Sequence, residues 1–203
     1  MIALDRVAFT TASQGDLLRD LDARARVSQA VGIPAEWAVV RQIHGATVHR
    51  VSAPGLQGAG DAMWTDRPGV PLAVFTADCL GVVLLAEHAV GVAHAGWRGA
   101  AGGVVPALAK EMEAAGHVPS KALIGPRIGP CCFEVGPEVA EVFPGHTSRT
   151  TWDTPSVDLP GVIAAQLEGL ELELSGGCTY HEDGWFSHRR NADRERQATL
   201  TWV

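Results

Sequence analysis

The chain has 203 residues, 46% of them apolar and 19% charged, with 23 glycines and 12 prolines. This is a globular, turn-rich composition, long enough for a substantial core and unlike that of a disordered chain. The formal net charge of −7 argues against a broad basic surface for nucleic acid.

The N-terminal MIALDRVAFTT lacks a basic leader followed by an apolar run, so no signal peptide is expected. Asp16 to Val31 has helical periodicity, with Leu17, Leu18, Leu21, Ala25 and Val31 as the apolar stripe and Gly32 and Pro34 as its stop. Trp37–Ile43 and Thr47–Val51, rich in β-branched residues, predict short strands. Ala53–Asp61 has the composition of a Gly-rich loop, without the spacing of a phosphate-binding motif.

Pro71–Thr76 predicts a buried strand, and Gly81–Ala86 and Ala89–Ala93 predict a hairpin turning at Glu87 and His88. Their continuous apolar character predicts burial on both faces. Asp78, Glu87, His88 and His94 interrupt this region, so no stretch approaches the ~18 uncharged residues of a membrane span. Ala100–Ala115 and Asp158–Leu170 predict helices, Lys121–Ile124 and Ala198–Val203 strands. Strands and helices alternate without a regular βαβ rhythm. The expectation is one domain over 1–203, α/β or α+β, with mixed β-sheets flanked by helices. Four cysteines without an export signal point to thiols or metal ligands, and to the cytoplasm.

Among the ligand-type residues, His44 follows a predicted strand, while Cys79 and His94 each end one and are separated by a hairpin's length. Two imidazoles and one thiolate suit zinc, and three protein ligands leave a fourth position open, as catalytic sites require. On spacing alone a second reading stands beside this one: a buried small thiol and two satisfied histidines. No HExxH or CxxC motif decides between them. Asp78 is a candidate proton carrier or partner to the site, or else a strand-end cap. Gln42 is a candidate substrate contact. Arg98, Arg127, Arg189 and Arg190 are candidate phosphate clamps, or else structural. Cys131 and Cys132 are expected as buried thiols at a tight turn, and Trp97 as a packing residue.

The blocks VRQIHGATV (40–48), TADC (76–79), VAHAGWRG (92–99), IGPRIGPCCFEVG (124–136), CTY (178–180) and FSHRR (186–190) occur in this order. Together they resemble the laccase-domain family, also called the multicopper polyphenol oxidase or peptidoglycan editing factor family, whose members are purine nucleoside phosphorylases. The resemblance implies mixed sheets flanked by helices and a zinc held by His44, Cys79 and His94. It also implies phosphorolysis of adenosine, inosine and S-methyl-5′-thioadenosine, with adenosine deamination as a further activity. Purine nucleoside and phosphate are then the partners, and a monomer is compatible with them.

The chain departs from the family pattern in three places. The segment after Phe9-Thr10-Thr11 is short, His188 takes the place of a tyrosine, and Asn191–Gln197 replaces a TGR-like segment. Three other functions compete. A copper polyphenol oxidase would need many paired histidines, and the chain has eight with no HxH pair. A cysteine hydrolase acting on a cell-wall precursor would use Cys79 with His44 or His94. The last is a binding module without catalysis.

Overall fold

The run from Leu72 to Ala95 folds as three successive strands with almost every side chain buried, and the rest of the chain is arranged around them. The computed structural model describes residues 1–203. In chain order the elements begin with β1 (Ile2–Leu4), β2 (Val7–Phe9), α1 (Leu21–Val31), β3 (Ala38–Arg41), β4 (Val48–Arg50), β5 (Gly55–Ala59) and β6 (Ala62–Thr65). There follow β7 (Leu72–Thr76), β8 (Leu80–Leu85), β9 (Val90–Ala95), α2 (Trp97–Ala101), α3 (Val104–Ala114) and β10 (Lys121–Ile124). The last are α4 (Pro137–Ala140), β11 (Thr147–Arg149), β12 (Pro155–Val157), α5 (Leu159–Gln166), β13 (Glu171–Leu174), α6 (His188–Asn191) and β14 (Gln197–Thr201).

Two six-stranded sheets form, in the orders β1-β2-β14-β7-β3-β5 and β13-β10-β8-β9-β6-β4, beside a β11–β12 ribbon. Both are mixed: β3 pairs parallel with β5 and β7, β4 with β6, and β10 with β13, while the other ladders are antiparallel. The two-residue alternation of a strand sends each long strand into two cores. In β7, Leu72 and Val74 join Val83 and Val92 between the sheets. Ala73 and Phe75 instead meet Leu17, Val27 and Trp37 on the outer face, under α1. In β8, Leu80, Val82 and Leu84 pack against Leu108, Met112 and Ile163 of α3 and α5. The result is a single α+β domain of helix, sheet, sheet and helix layers. The double burial expected of the central strands is found, and the predicted hairpin is the β8–β9 ladder, pairing Leu80 with Ala95. No helix is long and apolar enough to cross a membrane.

Where β8 of one sheet faces β14 of the other, space is the constraint. A Cβ placed on Gly81 would lie 2.7 Å from the Cβ of Thr199 and closer still to its hydroxyl. Gly81→Ala should therefore destabilise the protein by about 1–3 kcal/mol, the range for overpacking a dense core. Urea denaturation measures this, and Thr199→Ala on the same background should recover part of the loss.

Several elements differ from expectation. The helix predicted from Asp16 starts only at Leu21, because the Asp20 carboxylate caps it by accepting from the Ala23 N–H. Its buried face is Ala23, Val27 and Ser28, not the predicted leucine stripe, and Leu21 is 70% exposed. The predicted Gly-rich loop contains β5, which pairs with β3 through backbone bonds that need no side chains. The helix predicted over 100–115 is two helices, since Gly103 at φ 72° turns the chain between them. The helix predicted over 158–170 stops at Gln166.

Candidate metal centre

Three links cross from the first sheet to the second: β3 to β4, β5 to β6, and β7 to β8. The first carries His44, the second Asp61, the third Asp78 and Cys79. Strand β9, paired with β6 and β8, brings His94 to the same place. The ligand atoms of His44, Cys79 and His94 all lie within 4.8 Å of one another. The two imidazoles meet edge to face, with centroids 4.8 Å apart and planes at 83°.

Asp61 holds this arrangement in place. Its side chain is fully buried. Oδ1 lies 2.8 Å from His94 Nδ1 and accepts from the His44 N–H at 2.9 Å. Oδ2 accepts from the Gly45 and Ile43 N–H groups at 2.7 and 3.2 Å. One carboxylate thus wraps the turn that carries His44, which sits at φ 59°, a left-handed conformation unfavourable for a side-chain-bearing residue. It also orients His94 by its Nδ1, so that Nε2 is the nitrogen left for a metal, the usual carboxylate–histidine arrangement.

Burial works to raise the Asp61 pKa, but the hydrogen bonds from His94, Gly45 and His44 outweigh it and hold the carboxyl below its ordinary value. Burial would also raise the Cys79 thiol, yet the facing His44 and His94 imidazoles bring it down to about 6. Burial alone would lower His94, but Asp61 and Cys79 push it up to about 9. Both shifts favour the charged forms of the facing His94 and Cys79 side chains. A side chain beside the cluster would crowd two of the ligands, since a Cβ on Gly96 would lie 3.0 Å from His44 Cδ2 and 3.1 Å from Cys79 Sγ. A soft anionic sulfur and two imidazoles fit zinc with an open fourth position. The same His₂Cys set is the donor set of mononuclear type 1 copper.

The centre opens into a cavity of about 380 Å³ whose walls include Phe75, Val40, Leu18, Arg41 and Arg196. A second cavity of about 210 Å³ lies beyond, against Trp97, Ile128, Phe133 and Arg189. Ala77, Cys79 and His188 border both.

The other expected site residues lie elsewhere or are already engaged. Asp78, at φ 100°, is buried and borders the smaller cavity beside Cys79. Its Oδ1 accepts from Thr179 Oγ1 at 2.6 Å and Ser187 Oγ at 2.7 Å, and its Oδ2 from the Arg189 N–H at 2.7 Å. These bonds pin the segments around 179 and 187 to the TADC turn and occupy the carboxylate that the sequence offered as a proton carrier. Gln42 lines the larger cavity, but its amide exchanges two 2.8 Å bonds with the Phe75 backbone. It prolongs the β3–β7 ladder and thereby places the His44 turn. Arg98 is exposed, stacks on Trp97 at 4.2 Å and borders neither cavity of the centre. Arg127 spends one guanidinium nitrogen on the Gly125, Ser175 and Gly176 carbonyls, bracing the ends of β10 and β13. Arg190 likewise binds the Tyr180, Glu182 and Trp185 carbonyls. Arg189 binds the Glu134 carbonyl and lies over Phe133.

Cys131, Cys132 and Cys178 form a second cluster of candidate metal ligands. Sequence reasoning missed Asp61, Arg41 and Arg196. The signal for Asp61 was its position, a lone acid directly before the uncharged β6 run Ala62–Thr65.

A mixed two-sheet domain with a His₂Cys cluster at the mouth of a cavity defines an enzyme with a metal-binding candidate active site. Residues 10–203 match a family model described as multi-copper polyphenol oxidoreductase laccase, and the chain belongs to that family. It is 39% identical over 196 residues to Purine nucleoside phosphorylase ORF3 of Streptomyces griseus, covering 89% of this chain and 80% of that one. It is 37% identical over 181 residues to a purine nucleoside phosphorylase of Deinococcus radiodurans, covering 83% and 71%. The crystal structure of Bacillus licheniformis hypothetical protein YfiH superposes with a TM-score of 0.81 at 26% identity, over 90% of this chain and 80% of that one.

Proposed function

We propose that this chain is a zinc-dependent purine nucleoside phosphorylase acting on adenosine, inosine and S-methyl-5′-thioadenosine, with adenosine deamination as a further activity. The observation that carries the reading is the His44–Cys79–His94 cluster opening into a cavity of about 380 Å³, the size of a small-ligand site. The relatives named purine nucleoside phosphorylase support it.

Zinc bound there supplies positive charge where the purine departs with the bonding electrons. The chain's own residues do the rest. Phe75, Val40 and Leu18 offer an apolar wall for the base, and Arg41 supplies a cation for phosphate at the same cavity, beside Arg196, whose Nη1 is held by the Asp193 and Glu195 carbonyls. A phosphate oxygen attacks the anomeric carbon as the bond to the purine nitrogen breaks, giving ribose-1-phosphate and free base. Asp61 and Gln42 act as positioning residues through His94 and the His44 turn. All four cysteines are free thiols, which suits the cytoplasm.

The test is a panel of adenosine, inosine and S-methyl-5′-thioadenosine, each with phosphate, on metal-analysed wild type and Cys79→Ser. The expected result is ribose-1-phosphate or its methylthio analogue from wild type, and at least a hundredfold less from Cys79→Ser. No turnover of any nucleoside by zinc-loaded protein rejects the reading.

A second reading is supported by the family description and by the donor set: a copper-dependent polyphenol oxidase centred on the same three residues. Stoichiometric copper with phenol oxidation, and no phosphorolysis, would favour it. Activity in metal-free protein would instead favour a cysteine hydrolase built on the Cys79 thiolate.

A further inference from the structure

We propose that Cys131, Cys132 and Cys178 form a second metal site, which takes monovalent copper in three-thiolate coordination. This does not depend on which reaction the first centre performs.

The three sulfurs lie within 4.8 Å of one another. Cys131 and Cys132 come from the turn after β10, and Cys178 from the turn after β13. The backbone between the two turns is fixed. Arg127 bridges Cys178 in parallel fashion, the Thr179 N–H donates to the Arg127 carbonyl at 2.9 Å, and the Arg127 N–H donates to Gly177 at 3.3 Å. The thiols are therefore brought together by the β10–β13 pairing and not by chance contact of loops.

Their surroundings suit a soft cation. The Cys132 thiol meets Cys131 Sγ at 3.4 Å, and the Gly129 N–H donates to Cys178 Sγ at 3.2 Å, a bond that favours a thiolate there. Gly129 also leaves the space the sulfurs need, since a Cβ on it would lie 3.3 Å from Cys131 Sγ. Cys132 is buried, while Cys131 and Cys178 are half-buried, giving a metal a route in from solvent. Three sulfurs at ~2.3 Å from one metal in a plane stand about 4.0 Å apart, a spacing between the 3.4 Å of the Cys131–Cys132 pair and the 4.8 Å within which all three lie. Thiolates select soft ions such as monovalent copper, and this cluster offers three sulfurs and no imidazole or carboxylate, a wholly soft donor set unlike the mixed set of the first centre. On binding, copper stays monovalent, each sulfur forms a bond to it, and the displaced thiol protons pass to solvent.

The test is an anaerobic titration of zinc-loaded protein with Cu(I) against a chromophoric Cu(I) chelator, followed by native mass spectrometry. The expected result is one copper per chain with zinc retained, and the same copper in Cys79→Ser, which isolates this cluster from the first centre. Cys131→Ser and Cys178→Ser should each lose it while keeping their zinc and their thermal transition. In case either variant misfolds, wild type gives an independent readout: bound copper should block alkylation of Cys131 and Cys178 by iodoacetamide. The proposal is overturned if wild type takes up no copper, if copper enters only by displacing zinc, or if Cys178→Ser keeps its copper. It is also overturned if the mass shows loss of two hydrogens, a disulfide, in place of a copper adduct.

Discussion

Asp61→Asn should weaken metal binding at His44, Cys79 and His94 by ten- to a hundredfold, the range for losing a carboxylate that orients a ligating histidine. Each oxygen of Asp61 serves two groups: one serves His94 and the His44 N–H, the other the Gly45 and Ile43 N–H groups. An amide has one accepting end. Whichever way it turns, its own N–H₂ confronts either two backbone donors or the His94–His44 side. The carboxylate is fully buried, so water cannot replace what is lost, and stability should also fall by about 3 kcal/mol. Competition with a zinc-binding dye gives the affinity, and urea denaturation of the metal-free protein gives the stability. Wild-type metal affinity in Asp61→Asn would sink this account of the centre.

Asp78→Ala should give the largest loss of stability without removing a metal ligand. Three donors, the Thr179 and Ser187 hydroxyls and the Arg189 N–H, converge on this one buried carboxylate. Each donor left unpartnered costs about 1–3 kcal/mol, so a fall of about 3–5 kcal/mol is expected in urea denaturation. Backbone conformation supplies an internal control. Residue 78 sits at φ 100°, where alanine is strained and glycine is not. Asp78→Gly should therefore be destabilised less than Asp78→Ala, although both lose the same hydrogen bonds. Equal losses in the two variants would show that strain at this turn is unimportant.

The parts of the fold that were legible in the sequence are those whose side chains carry the instruction. The β7–β9 segment is apolar at nearly every position because both faces of its strands are buried. Lys121–Ile124 forms β10 with the predicted ends. Strand β5 was not legible, because its Gly-rich segment contributes hydrogen bonds and little else. The Cys131–Cys132 turn could be located, but its meeting with Cys178 depends on the parallel pairing of β10 with β13, across a long separation. The metal centre divides in the same way. His44, Cys79 and His94 stand out as residue types in distinctive blocks. Asp61 works through backbone N–H groups and one imidazole far along the chain, so only its place directly before the β6 run marks it locally. For Asp78 and Arg127 the sequence offered a site role and a structural role without deciding between them, because a carboxylate or guanidinium spent on internal hydrogen bonds has the same sequence signature as one facing a ligand.

The three links that cross between the sheets also set the order of events in folding. His44, Asp61 and Cys79 stand on separate crossings at one end of the second sheet, where the β4–β6, β6–β9 and β8–β9 pairings bring them to His94. Metal capture is therefore expected once β4, β6, β8 and β9 are in register, with the crossings holding the site at the seam between the layers. For the same reason a bound ion ties the two layers together at their seam. Unfolding must then either release the ion first or part the sheets against it, and the loaded protein should come apart far more slowly than the empty one, even where their folding rates are alike.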